Sequence, residues 1–462
     1  MTTAASPDPA EQAVAGNPDH ARIWQSPLWQ SLLPLGRSDQ TGGYRRFAFT
    51  PAEQACRDWF LAAAADRGLG TETDRNGNLW AWWDPADQPA DGRPAEQAVA
   101  QPGSSAGLLP AGPGGASSSG PGDNTGVIVT GSHLDSVPDG GAFDGPLGVV
   151  SAFAAIDLLV ASGAAPVRPV GIAAFTEEEG ARFGLACLGS RLLTGAVSPD
   201  AARALTDADG VTLADAMAGA GLDPASIGPD PGLVSRIMAL VELHIEQGSA
   251  LDGMNASVGV AGSIWPHGRW KIDFTGRADH AGTTKLADRR DPMMPYAATV
   301  LAARTVATEL GALATFGKVV AEPGAANAIC SSVHAWLDAR APDEETLKEL
   351  VSQVTAVAEL SGAGHGVMVT SRCESLTPVV EFDLDLRDRV VAALAGMGIE
   401  APVLPTGAGH DAGVLAAGLP TAMLFVRNPS GVSHSPAEHA EPEDCEAGVV
   451  ALAAVLEELA CR

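Results

Sequence analysis

Three short, mostly apolar runs constrain what this chain can fold into: Val127–Thr130, Val170–Phe175 and Met238–Leu243. None alternates apolar with polar residues, as a strand with one wet face would. Runs of this kind belong to strands buried on both faces, the situation of a parallel sheet covered by helices. The stretch Leu147–Ala161 between the first two runs has the length and apolar content of a covering helix. Each run also leads directly into side chains that can ligate a metal or carry a proton. His133 follows the first, Glu178 and Glu179 the second, and His244 the third. Ligands of open α/β sheets gather at the carboxyl ends of strands, so these residues are expected to share one site.

Other segments set the limits of that sheet domain. Residues 51–67 read as a helix with Thr50 as N-cap, Pro51 at its first position and Gly68 at its end. Asn78–Trp83 reads as a strand. After Pro378 the main domain is expected to resume, with a helix near Leu384–Ala395, a strand Thr421–Val426 and a last helix Pro442–Leu459. Residues 262–376 differ in character. Trp270–Thr275 alternates like an antiparallel strand, Tyr296–Leu310 and Pro342–Leu360 read as helices, and Val333–Ala339 as another strand. The reading is an α/β protein: a catalytic domain over 21–261 and 377–462, with an inserted small two-layer lid or dimerisation domain over 262–376. Residues 1–20 read as a disordered tail, and 84–125, rich in Pro, Gly, Ser and Ala, as a low-complexity insertion.

A length of 462 residues suits two domains. The net charge of −28 argues against nucleic acid, because little here would neutralise phosphate. Six widely spaced cysteines without a C-x-x-C pair read as free thiols. The N-terminal stretch lacks Lys and Arg before Arg22, unlike a signal peptide. The longest apolar stretch, Pro146–Val160, is interrupted by Asp157 and too short for a bilayer. A cytoplasmic protein without membrane contact is expected.

Three imidazoles and two carboxylates, His133, His244 and His434 with Asp144 and Glu179, form a mixed nitrogen and oxygen donor set. It suits zinc or manganese, and it tolerates cobalt or nickel. If Asp144 bridges, five residues serve two ions. Glu178, beside a ligand, is then free to act as general base. Asp135, two residues from His133, is placed to orient that imidazole.

The ordered motifs carry a resemblance. They are Gly131-Ser-His-Leu-Asp-Ser136, Gly140-Gly-Ala-Phe-Asp-Gly145, Glu178-Glu-Gly-Ala-Arg-Phe183, Glu242-Leu-His-Ile-Glu-Gln-Gly248, Gly276-Arg-Ala-Asp-His-Ala-Gly-Thr-Thr284, Arg289-Arg-Asp291, Gly407-Ala-Gly-His-Asp-Ala412 and Ser433-His-Ser-Pro-Ala-Glu438. Over roughly residues 40–460, apart from the insertion, the chain resembles the di-metal amidohydrolases related to aminoacylase and glutamate carboxypeptidase. More closely it is similar to the branch of allantoate amidohydrolase, N-carbamoyl-L-amino acid hydrolase and β-ureidopropionase. His244 carries that distinction, since the wider family commonly has a carboxylate there.

The resemblance implies two divalent ions per subunit. His133 and His244 would hold one and Glu179 and His434 the other, with Asp144 bridging and Glu178 as base. It implies that His280 reaches the site of a second subunit in a homodimer and stabilises the oxyanion there. Asn327 and Arg340 would hold the substrate carboxylate, while Gln247 and His410 would contact substrate near the metals. The expected reaction is hydrolysis of a ureido C–N bond in a small carboxylate, with release of ammonia and carbon dioxide. Ile264–Trp270 and Arg289–Met294 favour allantoate, and an N-carbamoyl-L-amino acid is the alternative. A binding protein without catalysis is the competing class, and it would have no need of Glu178.

Overall fold

The computed structural model describes residues 25–84 and 126–462. The expected tail over 1–20 and all of the expected insertion except Asp84 lie outside them. The chain forms two compact units. One comprises the residues up to Val260 with Asp383–Val403 and His410–Arg462, and the other Ala261–Phe382 with Leu404–Gly409. The second unit thus takes in a short segment, Leu404–Gly409, that the sequence reading leaves in the first domain.

The first unit is built on a largely parallel sheet flanked by helices. Its strands are β1 (Gly70–Thr73), β2 (Leu79–Trp83), β3 (Val127–His133), β4 (Val170–Phe175), β5 (Ile237–Ile245) and the start of β6 (Val258–Ile264). They lie in the order β1-β2-β4-β3-β5, followed by Thr421–Val426 and β6. β4, β3, β5 and Thr421–Val426 run parallel. β2 and β6 flank this block in the antiparallel sense. Every residue of β3, β4 and Thr421–Val426 is buried, as covered parallel strands require.

Two strands run further than their apolar character indicates. β3 extends through His133, which pairs with Phe175, and β5 extends through Ile245, with His244 opposite Phe425. Ladder hydrogen bonds join backbone to backbone, so a polar side chain does not end a strand flanked on both sides. The two histidines therefore project from the sheet itself rather than from loops after it.

The helix Pro146–Ala161 is buried over most of its length, with Leu147, Val149, Val150, Ala152, Phe153 and Ala155 fully buried. Gly148 lets it close on β5, since a Cβ there would stand 2.2 Å from the Leu243 carbonyl oxygen. Phe153 meets Trp59 and Phe60 edge to face, and its burial contributes about 1.5–3 kcal/mol. The helix Pro51–Ala65 starts as its sequence dictates. Thr50 accepts from the Glu53 amide at 3.5 Å, and Glu53 accepts in return from the Phe49 amide at 2.9 Å.

The second unit is a two-layer α/β structure. Four antiparallel strands lie in the order β12-β7-β11-β9. They are β7 (His267–Thr275), β9 (Leu313–Glu322), β11 (Ser332–Arg340) and β12 (Met368–Thr377). Helices Met293–Leu310 and Glu344–His365 pack on the sheet through Ala303, Leu337, Ala339, Leu347 and Leu350. The outer strands β9 and β12 carry no continuous apolar signal because they are largely exposed. A short ribbon joins β8 (Asp279–His280) to β10 (Ala328–Ile329). Among the described residues no helix is long and apolar enough to cross a membrane.

Candidate metal centre

The loop from β3 to the helix Pro146–Ala161 delivers the central carboxylate. Gly145 is the N-cap of that helix, with φ 83° and ψ −59°. A Cβ on it would stand 2.5 Å from Cε1 and Nδ1 of His133. Glycine is thus required twice, for the backbone conformation and for the closeness of the imidazole. Asp144 immediately precedes it.

The two oxygens of Asp144 face different partners. Oδ1 lies 3.2 Å from His244 Nε2 and 3.5 Å from His133 Nε2. Oδ2 lies 3.4 Å from His434 Nε2, and that nitrogen is 3.6 Å from Glu179 Oε2. The donor atoms of His133, Asp144 and His244 are mutually within 4.8 Å, as are those of Asp144, Glu179 and His434. Five residues drawn from across the chain therefore form two donor clusters that share one carboxylate.

The tautomers of the buried histidines fit a metal. His133 Nδ1 lies 3.1 Å from the Asp135 carbonyl oxygen, and His244 Nδ1 lies 2.8 Å from that of Ile245. A carbonyl accepts only, so each Nδ1 carries a proton, and in the neutral imidazole each Nε2 presents a lone pair. Burial opposes the charged form, but the surrounding carboxylates outweigh it and raise both imidazoles above their usual pKa. Both Nε2 atoms are buried and have no hydrogen-bond partner. A buried, unpartnered acceptor is costly unless something electrophilic meets it.

Electrostatics point the same way. Asp135, Asp144, Glu178, Glu179 and Glu438 crowd the site, and the ion-pair partners of the first four among the described residues are imidazoles. Burial raises the Glu178 carboxyl well above its usual range. Burial, then Asp144, raises Glu179 and Glu438 to about 7 each. Burial opposes ionisation of Asp144 too, but three imidazoles outweigh it and hold that carboxyl well below its usual range. Its hydrogen bond to Asp144 lifts His434 to about 9. Carboxylates packed this closely need cationic charge to stay ionised.

Glu178 stands apart from the ligand sets. Its Oε2 is 3.8 Å from His133 Nε2, and its Oε1 accepts from the Cys187 thiol at 3.3 Å. The turn that carries it is held by Asp135, whose two oxygens accept from the amides of Glu178 and Glu179 at 3.1 Å each. Asp135 also borders the His133 imidazole, through its main chain and its side chain. The main-chain carbonyl holds the imidazole, while Oδ1 sits 3.6 Å from Nδ1.

His434 occupies the left-handed region at φ 54°, an uncommon position for a non-glycine residue. Gln247 Nε2 reaches Asp144 Oδ2 at 2.9 Å and Ser433 Oγ at 3.1 Å, which places it among the ligands. His410 is buried with its ring 4.5 Å from that of His244, and burial, then His244, depresses its pKa well below the usual value. Glu242 lies within ligand distance of His244 and His410, but its oxygens already accept from Ser132 Oγ at 2.7 Å and the Ala412 amide at 3.0 Å.

The remaining expected residues belong to the second unit. His280 Nδ1 accepts from the amides of Gly282 at 2.9 Å and Thr283 at 3.2 Å. Its proton therefore resides on Nε2, which is left as a donor. Asn327 is exposed, and its carbonyl accepts from the Ala281 amide at 3.1 Å. Arg340 donates through Nε to Asp338 Oδ1 at 2.9 Å and through Nη1 to the Gly407 carbonyl. Nothing in the sequence marks Glu438, Cys187 or Glu242 for a part in this site. Glu438 closes a quoted motif, but its partners lie 294 and 295 residues away along the chain.

Residues 129–458 match the family model described as Peptidase family M20/M25/M40. The chain is 34% identical over 433 residues to an N-carbamoyl-L-amino acid amidohydrolase of Geobacillus stearothermophilus, covering 92% of this chain and 96% of that one. It is 30% identical over 438 residues to an allantoate amidohydrolase of Escherichia coli strain K12, with 92% and 94% covered. Among solved structures, a hydantoinase/carbamoylase family amidase from Burkholderia vietnamiensis superposes with a TM-score of 0.78 at 28% identity, covering 96% of this chain and 98% of that one.

Proposed function

The chain belongs to peptidase family M20/M25/M40, and from that membership we propose that it hydrolyses the ureido C–N bond of a small carboxylate, with release of ammonia and carbon dioxide. Allantoate is the substrate the motifs favour. A second reading, an N-carbamoyl-L-amino acid, is supported by the 34% identity to the Geobacillus stearothermophilus amidohydrolase. The observation that carries the proposal is the division of the Asp144 carboxylate between two donor clusters, with Glu178 beside them and in neither.

In this reading His133 and His244 would hold one divalent ion and Glu179 and His434 another, with Asp144 offering an oxygen to each cluster. Zinc or manganese suits the donors, and cobalt and nickel are tolerated. When bound, such ions supply Lewis-acid polarisation of the ureido carbonyl and make a neighbouring water acidic near neutral pH. The chain's own residues do the rest. Glu178 takes the proton of the attacking water at Oε2, since Oε1 is occupied by the Cys187 thiol, and returns it to the leaving nitrogen. His280 donates from Nε2 to the developing oxyanion, a contribution of about 3–4 kcal/mol for such a donor. Arg340, oriented by Asp338, presents its remaining N–H groups to the substrate carboxylate together with Asn327. Gln247 holds the Asp144 oxygen that faces His434.

The reading includes a homodimer in which His280 serves the site of the second copy, and a cytoplasmic enzyme. Ammonia release from allantoate and from a panel of N-carbamoyl-L-amino acids, with Mn, Zn, Co and Ni supplied in turn, tests it. Two metals per subunit with turnover of one substrate class is the expected result. Metal binding without ammonia from any of them would overturn the enzymatic reading.

A further inference from the structure

The loop that carries Asp144 has no helix or strand between Gly140 and the Gly145 cap, and something else must fix it. At one end the Tyr44 amide donates to the Gly140 carbonyl at 3.0 Å. At the other end a single oxygen, Glu438 Oε2, accepts from two consecutive amides, Phe143 at 3.0 Å and Asp144 at 3.1 Å. Glu438 is only 5% exposed, and its second oxygen, Oε1, is buried without a hydrogen-bond partner. Gly141 makes room for it, since a Cβ at that position would stand 2.1 Å from Oε2.

A buried carboxylate with one unpartnered oxygen costs stability wherever it serves no purpose. Here it sits where it can set the direction of the one side chain both donor clusters share. Two charge-assisted bonds to adjacent amides fix the orientation of the peptide between Phe143 and Asp144 as well as its position. A rotation of that peptide would turn Oδ1 or Oδ2 away from its imidazoles.

We propose that Glu438 is a positioning residue of the metal centre, clamping the Asp144 amide so that the two oxygens of its side chain face the two donor clusters. The inference rests on the metal-dependent reading above and assigns Glu438 no contact with substrate or ion. It differs from a merely structural role in what it predicts for metal.

The test is a calorimetric titration of chelator-treated protein with Mn or Zn, alongside urea unfolding of the metal-free forms. Glu438→Ala is expected to weaken metal binding at least about ten-fold, the range for lost outer support of a ligand. Glu438→Gln keeps an oxygen for both amides and is expected within about three-fold of wild type. Gly141→Ala displaces the carboxylate without removing it and is expected to weaken binding as Glu438→Ala does. This variant carries the test should Glu438→Ala fail to fold. Unchanged affinity in folded Glu438→Ala or Gly141→Ala overturns the clamp. Equal loss in Glu438→Ala and Glu438→Gln also overturns it, because an acceptor oxygen kept at the two amides would then hold nothing in place. A wild-type protein that binds no metal overturns the functional reading instead.

Discussion

Gly145→Ala and Gly163→Ala, at opposite ends of the helix Pro146–Ala161, form a matched pair. Both glycines have positive φ, 83° and 78°. A Cβ at Gly163 meets nothing within 4 Å, whereas one at Gly145 meets the His133 ring at 2.5 Å. The substitution at Gly163 therefore carries only the left-handed backbone penalty, about 1–2 kcal/mol, offset by a gain of ~0.4–1 kcal/mol from the stiffer unfolded chain. The net loss is about 0–1.6 kcal/mol. At Gly145, ψ of −59° lies outside the left-handed well, so the backbone penalty moves to the upper part of the ~1–3 kcal/mol range. The imidazole must also retreat by roughly 1 Å to reach ordinary contact. His133 is fully buried, so that movement also strains the contact with the Asp135 carbonyl. The expected loss for Gly145→Ala is about 3 kcal/mol, with metal affinity reduced ~10–100-fold by the displaced ligand. Urea unfolding of the metal-free proteins reads the first quantity and metal titration the second. Gly145→Ala no less stable than Gly163→Ala, with wild-type metal affinity, would refute the reasoning.

Three further outcomes are expected. Glu178→Gln should keep its metal content and lose turnover by about 10²–10⁴-fold; near-normal ammonia release would remove Glu178 as the base. Chelation should lower the unfolding midpoint, and restoring metal at 100-fold its Kd should recover about 2.7 kcal/mol; a midpoint indifferent to chelator would count against both donor clusters. The hydrogen bond from Arg45, then that from Thr41, lowers the Asp139 carboxyl to about 2. Its folded-state pKa is depressed, so the stabilisation is present above the ordinary carboxylate value and fades as pH falls towards 2. Asp139→Asn should flatten that part of the acid-unfolding profile, and an unchanged profile would show that the pair contributes nothing.

Legibility in the sequence follows the reach of each physical signal. β3, β4 and β5 could be read because both faces are buried, which leaves a local apolar record. Their true ends could not, because His133 and His244 continue a ladder that depends on backbone pairing with Phe175 and Phe425. β9 and β12 are largely exposed, so their residues carry no burial pattern to detect. The metal-ligating residue types were visible as residues, and the structure brings His133, Asp144, Glu179, His244 and His434 together. What holds them was hidden. The Asp135 side chain serves the amides of Glu178 and Glu179, a contact across more than forty residues that no spacing rule anticipates. Glu438 acts over a still longer separation.

The two donor clusters are not built alike. His133 and His244 project from adjacent buried strands, are 1% exposed, and have their tautomers fixed by main-chain carbonyls. Both imidazoles of the cluster they form with Asp144 are therefore anchored on the sheet, while Asp144 itself is carried by a loop. Glu179 and His434 come from loops instead. His434 is half-exposed and held at a positive φ, and its Nε2 lies 3.2 Å from the side-chain amide of Gln247. A backbone held in a sparsely populated conformation persists only where its surroundings over-determine it, and here those surroundings are themselves side chains. The sheet thus anchors the two imidazoles of one cluster, whereas loops carry Glu179 and His434 of the other. Asp144 couples them, because its Oδ1 belongs to the first and its Oδ2 to the second. Any force that tilts this carboxylate is felt on both sides, which is why the loop bearing it is anchored at Gly140 and again at its own amide.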